Sequence, residues 1–115
     1  MASLVISIGE GKGTWKEAAS VAKSGWDCVY IVTSQFFAGK FNIPGKSEQI
    51  IIDDQKPLTE MIQTLKEKLA LLEGDIGVHL LSGNGKLHMA ILATLIKLPV
   101  GIRLVTANHN GVQEI

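Results

Sequence analysis

The chain has 115 residues, 46% of them hydrophobic and 19% charged, which is one domain with ample material for a core and excludes both a two-domain protein and a disordered one. Eleven basic and eleven acidic side chains leave no net charge, so the basic surplus of a duplex-DNA-binding protein is absent, while a small phosphorylated ligand held by local lysines stays open. A single cysteine, Cys28, excludes an internal disulfide and fits a reducing cytoplasm.

Residues 1–8 lack the basic segment and long apolar run of a signal peptide. They hold instead Leu4-Val5-Ile6-Ser7-Ile8, a buried strand closed by Gly9. A flexible loop, Gly9-Glu10-Gly11-Lys12-Gly13, follows. Thr14 and Glu17 then have the spacing of a helix capping box, and Trp15, Ala18, Ala19 and Ala22 fall on one face of the helix that Gly25 stops. Residues 28–32 are a second apolar strand, in which Cys28 reads as a packed core residue. Across residues 33–48 the pattern breaks into an irregular crossover containing Phe36, Phe37 and Phe41.

A third strand spans residues 49–52 and closes on Asp53 and Asp54, which read as caps for the following helix. Pro57 starts that helix. Leu58, Met61, Ile62, Leu65, Leu69 and Leu72 recur at spacings of three and four along it, and Gly74 ends it. The fourth strand covers residues 76–81 and runs into Ser82-Gly83-Asn84-Gly85-Lys86. A short helix over 87–98 stops before Pro99, and it falls short of the roughly 18 apolar residues of a membrane span. Residues 101–105 form the fifth strand and residues 112–115 a last short one. The expected protein is soluble and cytoplasmic, with no membrane contact.

Strands apolar on both faces and alternating with helices predict an α/β fold, a Rossmann-like, doubly wound, mostly parallel sheet of five to six strands with helices on both faces. Ligands of such sheets bind at the carboxyl ends of the strands where the winding reverses, here between the first and fourth strands. Each of those strands ends in a glycine- and lysine-bearing loop. In the first, three glycines, the Lys12 ammonium and the Thr14 hydroxyl are suited to a phosphate. Thr14 stands where G-x-G-x-x-G needs its third glycine, and the longer P-loop pattern is absent. In the second, Ser82, Gly83, Asn84, Gly85 and Lys86 join a hydroxyl, an amide and an ammonium at a helix start.

His79 reads as a hydrogen-bonded core histidine and His109 as part of a surface turn. His88 faces either ligand or core. No histidines share metal-site spacing, so neither a metal nor another cofactor is expected. A Ser-His-Asp triad built on Ser82 lacks G-x-S-x-G. The last helix is apolar nearly all round through Leu87, Met89, Ile91, Leu92, Leu95, Ile96 and Leu98, which predicts a subunit partner over one face and a symmetric homodimer.

The run Ile50-Ile51-Ile52-Asp53, the amphipathic helix, the fourth strand, Ser82-Gly83-Asn84-Gly85-Lys86 and the apolar helix with Met89 resemble the second half of a CARF domain, the CRISPR-associated Rossmann-fold sensor family. The likeness covers residues 50–105; before that, only the order of elements agrees. It implies a homodimer whose paired sites form one pocket for a cyclic oligoadenylate messenger of antiviral signalling. Gly9, Glu10 and Gly11 match the family's first loop, and Ser82 to Lys86 its second. Loop amides and Lys86 would meet phosphate, and Phe36 or Phe37 the bases. Glu10 departs from this unless it binds a hydroxyl or a base edge. An enzyme version is a metal-independent ring nuclease, with Lys86 stabilising phosphate charge and His88 as the candidate base. Two other readings compete: a protein that binds a mononucleotide or sugar phosphate in the same loops, and a structural partner subunit with empty loops.

Overall fold

Short apolar runs alternating with amphipathic segments bury themselves most simply as a sheet with helices on both faces. The computed structural model describes residues 2–115, apart from the side chain of Lys12, and has that architecture. Its strands are β1 (Ser3–Ile8), β2 (Val29–Ser34), β3 (Ser47–Ile52), β4 (Gly74–His79), β5 (Val100–Asn108) and β6 (Gly111–Glu114). They lie in the order β3-β2-β1-β4-β5-β6. The first five are parallel, and β6 returns antiparallel along β5. This is the Rossmann-like, doubly wound α/β arrangement that the alternation predicts.

Among the described residues three helices cover the sheet: α1 (Trp15–Ala22), entered through a 3-10 turn (Lys12–Thr14), α2 (Leu58–Leu69) and α3 (Gly85–Ile96). The two-residue period of a strand divides the core between the faces. Leu4, Ile6 and Ile8 of β1 point to α1, where they meet Ala18, Val21 and Ala22. Val5 points the other way, to Met61, Leu65 and Leu69 of α2 and to Leu87, Ile91 and Leu95 of α3. The β2–β3 crossover has no helix; Gln49 pins it by accepting from the Gly39 amide at 3.1 Å and donating to the Phe41 carbonyl at 3.2 Å. Among the described residues, no helix is long and apolar enough to cross a membrane.

Several local expectations change. The capping box does not form. Thr14 has helical dihedrals because the 3-10 turn precedes it, and it makes no side-chain cap. Its hydroxyl donates back to the Gly11 carbonyl, while Glu17 turns across the sheet to Thr106. Asp53 accepts from the Gln55 amide in a turn, and the residue preceding α2 is Pro57, so the aspartates do not cap that helix. Cys28 lies one residue ahead of β2 and is half-buried, not core. It lies beside Tyr30, whose phenol is pushed up by burial first and then by Cys28. The fourth strand begins two residues before the expected start and ends two before the expected end, at His79.

Candidate functional site

β1 and β4 are neighbours, and the chain leaves them for opposite faces, β1 toward α1 and β4 toward α3. Their carboxyl ends are therefore the switch point at which open α/β sheets hold ligands. Burial carries its own signal there. Of the six buried polar residues among those described, Ser7, Thr33, Ser34, His79 and Ser82 lie at or just past the carboxyl end of a strand, and only Thr94 lies in a helix. A core of this size does not need polar side chains for packing, so their collection at one edge marks where the fold departs from apolar burial.

The two loops meet in a seam knotted by Ser82. Its hydroxyl oxygen accepts the Gly9 amide at 3.0 Å. Its carbonyl accepts both the Ser7 hydroxyl and His88 Nε2, the latter at 2.7 Å. The Gly83 amide donates to the Glu10 carbonyl at 3.0 Å. Asn84 works in two directions: Oδ1 caps α3 through the Leu87 amide at 2.9 Å, and Nδ2 donates to the Glu10 carboxylate at 2.8 Å. The glycines follow from this closeness. A Cβ on Gly9 would stand 3.0 Å from Gly83 Cα, and Gly83 itself has φ +99°, a backbone shape that other residues rarely adopt.

The structure thus brings Gly9 and Glu10 against Ser82, Gly83 and Asn84, with His88 beneath them, and sends the remaining candidates elsewhere. Lys86 Nζ donates to the Asp54 and Lys56 carbonyls at 2.9 and 2.6 Å, bridging to the loop after β3. His88 reaches beneath its own loop to Ser82 and holds it in place. Thr14 closes on Gly11, while Gly13 sits at the start of a groove beside Lys16 and Ser20. Lys12 contributes backbone to the 3-10 turn; its side chain lies outside the described residues. Gly85 and Lys86 supply the first two amides of α3, which the Asn84 cap does not use. These amides and the partial positive charge of the helix end favour an anion.

An aromatic group flanks the first loop. Trp15 donates its indole N–H to the Gly9 carbonyl at 3.1 Å and packs edge-on to Phe37 and Phe41. Phe36 packs against Phe37 yet is 70% exposed, with Lys40 Nζ 4.2 Å above its ring. On the other side of the seam, two concavities of about 300 and 230 Å³ open along α1 and β5, sharing Glu17. The smaller contains His79. Its Nδ1 lies 2.9 Å from the Val105 carbonyl, and its Nε2 faces Glu17 Oε2 at 3.5 Å.

His79 is the hydrogen-bonded core histidine that an apolar strand predicts, and His109 sits exposed in the β5–β6 turn. Sequence reasoning missed Glu17 and Thr106 as neighbours of His79. The available signal was the lone histidine itself, a side chain that must find partners once buried. Among the described residues, no three His, Cys, Asp or Glu side chains are grouped to hold a metal ion. Set against family models, curated proteins and solved structures, the chain matches none of them.

Proposed function

We propose that the chain is a sensor-type domain that binds a cyclic oligoadenylate across the loops after β1 and β4, with two chains forming one pocket. The observation that carries the reading is the gathering of buried polar side chains at the carboxyl edge, directly beneath two interlocked glycine loops at the switch point. The amides of Gly85 and Lys86 at the start of α3 suit a phosphate, and the exposed Phe36 ring suits a base. An apolar stripe on α3, with Met89 and Ile96 exposed by 59% and 70%, suits a second copy. Lys86 and His88 act here as positioning residues that hold the loops, so the proposal is binding, with ring cleavage left to direct assay.

A mononucleotide or sugar phosphate is the second reading. What favours it is the size of the concavities within one chain, about 230 and 300 Å³, which suits a nucleotide fragment better than a ring. The deciding experiment is a thermal-shift titration with cyclic tetra- and hexa-adenylate beside AMP, ATP and linear oligoadenylate, followed by chromatography of each mixture. A ring at a hundredfold excess over its Kd should stabilise the fold by about 2.7 kcal/mol, a rise on the order of 10 °C for a domain of this size. One ring per two chains supports the sensor, and linear products add ring cleavage. A shift with AMP alone, at one per chain, supports the second reading. No shift with any of them removes the ring and the adenine mononucleotide, and leaves a sugar phosphate or a structural partner subunit.

A further inference from the structure

β4 and β5 pair from Gly74 and Val100 as far as Val78 and Leu104. There they part. β4 ends at His79 and the chain turns through Leu80 and Leu81 to Ser82, whereas β5 continues along β6 to Asn108. His79 Nδ1 reaches the Val105 carbonyl at the fork, at 2.9 Å. A carbonyl oxygen only accepts, so Nδ1 carries a proton, and in the uncharged tautomer this leaves Nε2 as a lone pair. The His79 side chain is only 4% exposed, and Nε2 has no hydrogen-bond partner among the described residues. It faces another acceptor, Glu17 Oε2, at 3.5 Å, and that oxygen already receives the Thr106 hydroxyl at 2.9 Å.

In that tautomer two acceptors stand side by side in a cleft of about 230 Å³, which suits one nitrogen carrying two protons. Nε2 is buried, so the imidazole turns toward the cleft for such a nitrogen to donate once to His79 and once to Glu17. The neighbouring walls are apolar: Leu80, Leu81, Leu104 and Ile115. Leu81 and Ile115 are exposed by 52% and 78%, so a flat ring entering the cleft gains apolar cover. His79 is three residues from Ser82, a span of at most about 10 Å, within the reach of one nucleotide.

We propose that this cleft is a base subsite of the bound nucleotide, separate from the Phe36 face, and reads the exocyclic amine of adenine through His79 Nε2 and Glu17 Oε2. The inference rests on the nucleotide reading of the adjoining loops. It assigns discrimination to the cleft, because the oxygen that replaces the amine in hypoxanthine would set a third acceptor against two.

The test is calorimetric titration with AMP, cyclic tetra-adenylate and cyclic hexa-adenylate, each beside its inosine counterpart, on the wild type and on Glu17→Gln. For whichever adenine probe binds, the wild type should prefer it about tenfold or more over the inosine form. Glu17→Gln keeps the side-chain shape and adds an amide donor that suits the oxygen, so the preference should shrink or invert. Equal binding of the adenine and inosine forms by the wild type overturns the subsite while leaving the nucleotide reading intact. That comparison needs no variant to fold. Binding of none of the six probes overturns the nucleotide reading, and the subsite with it.

Discussion

Ser82 shows how much one hydroxyl can hold. It lies at zero exposure, seventy-three positions from Gly9, and supplies the acceptor for that residue's amide. Ser82→Ala leaves a buried donor without a partner, which costs about 1–3 kcal/mol. Urea unfolding should show the midpoint falling at unchanged slope, and a loss below about 0.5 kcal/mol would mean that the seam is wet or loose. The sequence made the loop visible, since Ser82-Gly83-Asn84-Gly85-Lys86 stands out between two apolar elements. It did not show that the polar groups turn toward the opposite loop, because such bonds join residues far apart in the chain. Glu17 illustrates the same gap. Its spacing from Thr14 obeys a local rule, yet the 3-10 turn removes the cap geometry, and the carboxylate goes to β5 and His79 instead.

At the scale of elements, the strand and helix order was legible because each apolar run has a length and period of its own. The ends were less so. β5 extends to Asn108 because it pairs first with β4 and then with β6, a fact of topology that no local window contains. β4 stops early because the chain must turn to meet the β1 loop. Close approach likewise hides in single letters. Gly77, inside β4, leaves room for the Trp26 ring, which is held by a 2.7 Å bond from its indole to the Val21 carbonyl. A Cβ on Gly77 would lie inside van der Waals contact with that ring. Gly77→Ala should therefore destabilise the fold by about 1–3 kcal/mol through overpacking, measured by denaturation and by altered tryptophan fluorescence. An unchanged midpoint would show that Trp26 moves aside freely.

For the whole molecule, the strand order places α3 at the junction between the site and the outside. Its inner residues Leu87, Ala90, Ile91 and Leu95 are buried in the core, so the all-round apolar pattern was only half explained by burial. Met89 and Ile96 are seven positions apart, hence on one helical face, with Leu92 and Ala93 partly exposed between them. Twelve residues make a helix about 18 Å long, enough to anchor but not complete an interface of about 800 Å² per partner. The neighbouring loops have to supply the rest. Packing α3 on its copy about a two-fold axis would bring both loop sets, which begin at the amino end of α3, toward one another. Light scattering should therefore give a dimer for the wild type. The double substitution Met89→Asp with Ile96→Asp should give a folded monomer, since both side chains are exposed and absent from the core. The monomer should also lose ring binding at one per two chains while keeping its circular dichroism. A wild-type monomer at tens of micromolar, with and without cyclic tetra-adenylate, would refute the shared pocket. Any ligand would then have to be held within a single chain, at the Ser82 seam and the cleft beside it.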